Sequence, residues 1–422
     1  LKHMGKRLTR RTLLVSTGVA GAGVALVGGG YALKTAQDVE ATPATKSTGT
    51  AIPFYGAHQS GIVTPSQEHL HFASFDLLTN DRAAVRSLLM IWSNAAATMM
   101  TGHPLGEDTT PPLAPPADTG EALGHGAENL TITIGFGPTL FIKDGKDRYG
   151  IANQRPAALI DIPPMMGDAL QPQRSNGDLC VQACADNPQV AFHAVRNLAR
   201  LARGLAVMRW SQLGFNRTAS TSKGQETPRN LMGFKDGTNN LKSEDASLMD
   251  QHVWVGTNDQ PAWMHGGSYV VTRRIRMHLE SWDREHLQGQ EEVFGRHKIS
   301  GAAFGKKDEF DAVDLNAKDG KGKLLIDTNA HVRLAIGDNT IKILRRGYSY
   351  TDGMDSVTGE LDAGLFFIAY QRDPRKQFVP LQTQLARNDL LNEYITHTSS
   401  AIFACPPGAA QGSFVGETLF VR

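Results

Sequence analysis

From His69 the hydrophobic pattern alternates with a period of two, and shortly afterwards it switches to the period of a helix. His69-Leu70-His71-Phe72-Ala73-Ser74-Phe75-Asp76 reads as a strand, with successive side chains on opposite faces. Asp81 to Met100 then places Val85, Leu88, Leu89 and Trp92 on one helical face, with Asp81 near the N-terminus. Residues 102–120 are proline-rich loop, Leu130 to Ile134 and Leu179 to Ala185 read as strands, and a helix is predicted from about Pro188 to Leu205. The second half has the same texture. Ser268 to Leu279 is a long strand, Leu324 to Ile336 and Thr340 to Arg345 read as a hairpin around Gly337-Asp338-Asn339, Gly364 to Tyr370 is a strand, and Leu385 to Thr396 a helix. No internal sequence repeat is present. Two successive α+β halves, divided in the polar stretch Thr218 to Pro228, fit this order better than the βαβ units of a parallel sheet.

Ahead of these halves lies an address. Lys6, Arg7, Arg10 and Arg11 precede a charge-free run from Thr12 to Leu33 that is rich in Gly and Ala. Six glycines in that run weaken it as a spanning helix, so a cleaved signal over residues 1–41 is expected rather than an anchor. Thr9-Arg10-Arg11-Thr12-Leu13-Leu14 matches a twin-arginine signal, whose route carries folded proteins and suits a cofactor loaded before export. The expected location is the periplasm, the cell envelope or the medium, with a membrane met only during export. Leu1-Lys2-His3 ahead of Met4 reads as an expression remnant, so residues 1–4 are set aside. Residues 42–51 read as a linker, residues 52–222 as an N-terminal domain and residues 223–422 as a C-terminal one.

The charge balance narrows the partners. With 43 Lys+Arg against 42 Asp+Glu the net charge is +1, and loss of residues 1–41 would leave −3, so nucleic acid is not an expected partner. A hydrophobic content of 41% is too high for a disordered chain. Cys180, Cys184 and Cys405 are too few for a disulfide framework, and Cys180 and Cys184 on one strand stand about 13 Å apart, beyond bridging distance.

Several chemistries lack their motifs. The sequence contains no Gly-x-Ser-x-Gly elbow, Walker loop, His-Glu-x-x-His or calcium loop. Gly135-Phe136-Gly137 follows a strand, but Pro138 and Leu140 break the dinucleotide pattern and leave a turn. His69 and His71 share a strand face without a third ligand nearby, and without Cys-x-x-Cys-His any haem would lack thioether links. In the second half Gly233-Phe234-Lys235-Asp236-Gly237-Thr238-Asn239-Asn240 brings an acid into a glycine-punctuated loop, where backbone can approach a flat ligand. His331-Val332-Arg333-Leu334 is predicted to place a histidine on a strand facing a cavity, and Arg345-Arg346-Gly347-Tyr348-Ser349-Tyr350 follows it. One His, one Asp and one Arg together are what a haem peroxidase needs.

At this point the chain closely resembles the dye-decolorizing peroxidases, in the exported branch that includes the deferrochelatase/peroxidase proteins. The resemblance runs from about Phe54 to Gly412. It rests on Gly56-Ala57-His58-Gln59-Ser60-Gly61-Ile62, Gly177-Asp178-Leu179 with Cys184-Ala185-Asp186, and Pro228-Arg229-Asn230-Leu231-Met232 leading into the Asp236 loop. Arg273-Arg274-Ile275-Arg276-Met277, His331-Val332-Arg333-Leu334-Ala335, the Arg345 segment, Arg372-Asp373-Pro374-Arg375 and Phe403-Ala404-Cys405-Pro406-Pro407-Gly408 also match. The resemblance implies an α+β fold of two ferredoxin-like domains with antiparallel sheets, related to the dimeric α+β barrel. It also implies one non-covalent haem b per chain, held in the C-terminal half.

The resemblance carries residue roles as well. His331 matches the axial ligand of the haem iron, and a carboxylate is expected to orient its other ring nitrogen, with Asp389 the candidate. Asp236 matches the distal acid that moves the peroxide proton, Arg345 the distal arginine, and Gly237, Thr238 and Asn239 the residues against the haem edge. The implied reaction reduces hydrogen peroxide through a ferryl intermediate and oxidises dye-like aromatic reductants, or a redox partner protein, by one-electron steps. An ordinary aspartate ionises near about 3.9, well below histidine, so an acidic optimum is expected. Tyr348, Tyr350, Trp254, Trp263 and Trp282 are available for electron transfer at the surface. Two departures stand out: Ile336-Gly337-Asp338 replaces the usual Asn-Pro after the His331 motif, and Gly301-Ala302-Ala303-Phe304-Gly305 replaces Gly-Ala-Pro-Leu-Gly. Haem iron release for uptake, as in a deferrochelatase, and a haem-binding redox partner of low turnover remain the alternatives, and a homo-oligomer is admitted.

Overall fold

A computed structural model describes residues 49–106 and 112–420. The signal read over residues 1–41 and most of the linker lie outside the described residues. The alternating segment at His69 is strand β1 (His69–Leu77), followed by β2 (Thr131–Phe136), β3 (Leu179–Ala185) and β4 (Ala206–Arg217). The second half supplies β5 (Ser268–Met277), β6 (Leu344–Arg345), β7 (Tyr348–Met354), β8 (Leu361–Gln371) and β9 (Ile395–Cys405).

Each half builds the same unit. In the first half the sheet runs β2-β3-β1-β4, with the helix Arg82–Met99 between β1 and β2 and the helix Pro188–Leu201 between β3 and β4. The second half runs β9-β5-β8-β7, and its crossovers carry the short helices Leu287–Phe294 and His331–Ile336, then Phe378–Asn388. All strand pairs are antiparallel. This is the expected α+β architecture of two ferredoxin-like units. The units join edge to edge, β2 to β9 at Phe136 and Ala404 and β4 to β7 at Phe215 and Ser349, which closes the sheet into a barrel. Phe72, Trp210, Phe366 and Phe403, drawn from both halves, pack together inside it.

Local chemistry sets the first-half helices. Asp81 caps the first by accepting the Ala83 N–H at 2.8 Å, and Asn187 caps the second by accepting the Gln189 N–H at 2.8 Å. Trp92 is fully buried and ties the two together through its indole N–H to the Leu198 carbonyl at 2.9 Å. The three cysteines are buried and unbridged.

Three readings need correction, two in the second half and one in the first. His331 does not lie on a strand: His331–Ile336 is one short helix, and only Leu344–Arg345 of the proposed hairpin pairs as a strand, with Tyr370 and Ala369 of β8. The side chain of Arg333 is the reason. It folds back to donate to the carbonyls of Asp327 at 3.0 Å and Ile326 at 2.8 Å, fastening the first helical turn to the chain before it. Gly337, at φ +51°, ends the helix. The helix read over Leu385 to Thr396 stops at Asn388, and Ile395 already begins β9. The helix beginning at Pro188 ends at Leu201, short of the expected Leu205.

Candidate active site

The helix His331–Ile336, the Asp236 loop and the ends of β5, β8 and β9 surround a cavity of about 250 Å³. Helical spacing turns His331, Val332 and Ala335 toward it. Met277, Phe294, Leu365 and Phe367 make much of the remaining wall apolar. Every site residue named from the sequence lines this cavity: Asp236, Gly237, Thr238, Asn239, His331, Arg345 and Asp389.

His331 opens its helix, and its Nδ1 lies 2.6 Å from Oδ2 of Asp389. Asp389 is held in turn. It ends the helix Phe378–Asn388, its other carboxylate oxygen accepts the Leu391 N–H at 2.9 Å, and the Leu390 N–H reaches the Asn329 carbonyl two residues before His331 at 3.1 Å. Burial pulls the His331 ring toward its neutral form, but the Asp389 carboxylate outweighs it and raises the pKa above the ordinary imidazole value. Among the described residues Nε2 has no hydrogen-bond partner. Phe294 packs edge-on to the ring at 5.9 Å.

An ion pair lines the same space. Arg345 donates from Nη1 to Oδ1 of Asp236 at 2.7 Å, and Asn230 donates to Oδ2 at 3.3 Å. Gly237 sits at φ +86°, and a Cβ there would come within 2.9 Å of the Ala219 Cα, so this glycine serves the packing of its own loop. Thr238 donates to the buried Glu309 carboxylate at 2.9 Å, and Lys235 pairs with the same carboxylate, so the loop is gripped on both sides of Asp236.

Sequence reasoning missed Asn240, Asn230, Glu309 and Arg296. Asn240 accepts the Arg345 N–H at 2.8 Å and donates to the Arg345 carbonyl at 2.8 Å, which clamps the arginine's backbone to the acidic loop. Its place within the Asp236 motif was the available signal. Arg296 also lines the cavity; burial lowers its pKa, and it donates to the Gly301 carbonyl at 2.7 Å. The five aromatics considered for surface electron transfer are all buried: Tyr348, Tyr350, Trp254, Trp263 and Trp282 expose at most 7% of their surface. Trp282 instead ties its indole N–H to the Met232 carbonyl at 3.0 Å, and Tyr350 lies under the Arg274 guanidinium at 4.1 Å. His69 and His71 form no metal cluster among the described residues.

The donor set suits a haem. One imidazole keeps a ring nitrogen unpartnered while a buried carboxylate orients the other, and the surrounding wall combines apolar side chains with an acid and a guanidinium.

Comparison with known proteins gives concordant findings. A family model described as Dyp-type peroxidase, N-terminal, matches residues 59–216, and one described as Dyp-type peroxidase, C-terminal, matches residues 227–410. The chain is 37% identical to a deferrochelatase of Escherichia coli O6:K15:H31, covering 97% of this chain and 96% of that protein. Among solved structures, ferric DtpA from Streptomyces lividans is similar, with 41% identity and a TM-score of 0.81 over 90% of this chain and 100% of that one. A DyP-type peroxidase from Cellulomonas bogoriensis is 36% identical, with a TM-score of 0.79 over 89% of this chain and 99% of that one.

Proposed function

The chain belongs to the Dyp-type peroxidases, and from that premise we propose how its own residues carry the reaction. It is a haem-dependent peroxidase that takes hydrogen peroxide and a reductant. Bound haem iron supplies the redox chemistry between the two.

His331 would hold the iron through Nε2, while Asp389 would fix the ring's orientation and tautomer and strengthen it as a donor. Asp236 would take a proton from one oxygen of peroxide and return it to the other, which then leaves as water. Arg345 places fixed positive charge beside the peroxide and beside Asp236. Gly237, Thr238 and Asn239 line the same cavity and would lie against the edge of a bound haem. A carboxylate in this role remains usable in acid, where an imidazole base is protonated, so turnover is favoured at low pH.

The observation that carries this reading is the convergence of an imidazole–carboxylate hydrogen bond, His331–Asp389, and an ion pair, Arg345–Asp236, on one apolar-walled cavity. The test is turnover of purified holoprotein with peroxide and a reducing dye. Loss of turnover in Asp236→Ala and Arg345→Ala supports the assignment. The name deferrochelatase, carried by relatives 37% identical, favours a second reading in which iron leaves the porphyrin for uptake. Release of iron-free porphyrin without peroxide would support that reading instead.

The twin-arginine motif supports export after folding, with the mature protein in the periplasm, cell envelope or medium. None of the described helices is long and apolar enough to cross a membrane.

A further inference from the structure

A second cavity adjoins the turn that carries Asp389. It measures about 560 Å³ and lies between the helix Leu287–Phe294, the residues His297 and Phe304, and residues 323–327, with Leu390 in its wall. Leu390 directly follows Asp389. The cavity is therefore one peptide bond and one 2.6 Å hydrogen bond away from the His331 ring.

Its lining has two characters. Leu324, Leu325 and Phe304 are apolar, and Leu287 leaves 54% of its surface uncovered at the edge. Three carboxylates, Glu291, Glu292 and Asp327, share the lining with one fixed cation, Lys323. Glu291 is engaged by His297 Nδ1 at 2.9 Å and by the Lys298 N–H at 2.8 Å. Glu292 meets only the neutral Gln288 amide at 2.7 Å, and Asp327 accepts the Asn329 N–H at 2.8 Å and the Thr328 hydroxyl at 3.5 Å. Neither of these two carboxylates has a cationic partner among the described residues.

We infer that this cavity binds phenols or aryl amines carrying a positive charge, as reducing substrates of the peroxidase. The inference rests on the function proposed above and adds a place and a charge class for the reductant. The ring packs on Leu324 and Phe304, and the cationic group faces Glu292 and Asp327. Electrons leave through Leu390 and Asp389 toward His331, so the reductant need not enter the peroxide cavity. Two phenols each lose one electron and one proton. Hydrogen peroxide takes up both electrons and both protons, its O–O bond breaks, and two waters form.

The experiment uses holoprotein and three matched phenols: cationic tyramine, neutral p-cresol and anionic 4-hydroxyphenylacetate. Equilibrium dialysis without peroxide measures tyramine binding, and steady-state kinetics with peroxide give KM for each phenol. Glu292→Lys, on an exposed helix position, is expected to weaken tyramine binding about fivefold and to move the tyramine-to-4-hydroxyphenylacetate preference about tenfold toward the anion. Leu325→Trp, which fills the cavity, should also weaken tyramine binding. Equal retention of tyramine by wild type, Glu292→Lys and Leu325→Trp would overturn the inference. Failure of the wild type to consume peroxide with any of the three phenols would overturn the peroxidase reading, and the dialysis result would still decide the binding site separately.

Discussion

Asp389 accepts the Nδ1–H of His331 at 2.6 Å across 58 residues of sequence, and it does so from a turn that is itself pinned to the chain just before His331. Ligand and orienting acid therefore form one mechanical unit. Asp389→Asn keeps the shape but removes the charge, and it is expected to lower the rate with peroxide or the retention of haem by about 10–100-fold. Stopped-flow peroxide kinetics and haem transfer to apomyoglobin measure the two effects. A variant equal to wild type in both would mean that the contact does not tune the ligand.

The Arg345–Asp236 pair, at 2.7 Å, makes a prediction about coupling. Asp236→Asn and Arg345→Leu should each reduce the second-order rate with peroxide by about 100-fold. The double variant should lose less than the product of the two, because each residue acts partly through the other. Strictly multiplicative losses would indicate that the two side chains work independently.

Asn240 offers a test away from the reacting atoms. Its side chain satisfies both backbone groups of Arg345, so Asn240→Ala leaves a partly buried N–H and a partly buried carbonyl without partners. The expected cost is about 1–3 kcal/mol of stability, read from urea unfolding, together with a slower peroxide reaction. Unchanged peroxide kinetics in a destabilised variant would make the clamp purely structural.

Much of this site was legible because its chemistry lies in short motifs. Asp236 stands in a glycine-punctuated loop and Arg345 in a run of matching residues, and both line the cavity. The strands β1 and β3 and the helix Arg82–Met99 were legible for a different reason: their apolar residues recur at a single period. The segment His331-Val332-Arg333-Leu334-Ala335-Ile336 is too short to fix a period. Its helix depends on Arg333 reaching back to Ile326 and Asp327, which alternation cannot reveal. The strand β9 was not read from the sequence: Ile395-Thr396-His397-Thr398 directly follows a helix-like run, and the helix was carried on to Thr396. The clamp by Asn240 joins residues 105 apart, and the place of Asn240 beside Asp236 gives no sign of its partner.

His71 on β1 predicts an acid sensitivity of the fold. It packs beside Phe192 at 5.7 Å, its Nδ1 lacks a partner, and burial pushes its pKa down to about 4 from the ordinary 6.5. The folded protein keeps this ring neutral, whereas the unfolded chain takes up a proton as pH falls through 6.5. Stability is therefore unaffected by His71 above pH 6.5 and declines below it until the folded state also protonates near pH 4, by about 3 kcal/mol in all. Urea unfolding between pH 7 and pH 4.5 should show a shallower decline in His71→Leu than in wild type. Parallel curves would assign the acid sensitivity to other groups.

The most direct measurement is the absorption spectrum of His331→Ala beside wild type, both produced with haem supplied and then given one equivalent of peroxide. Wild type should hold one haem per chain, show the band of a histidine-bound ferric haem and change its spectrum on peroxide. The variant should lose that band and the peroxide response together. A His331→Ala protein that keeps both the haem spectrum and peroxide consumption would contradict the assignment of this histidine as the iron ligand.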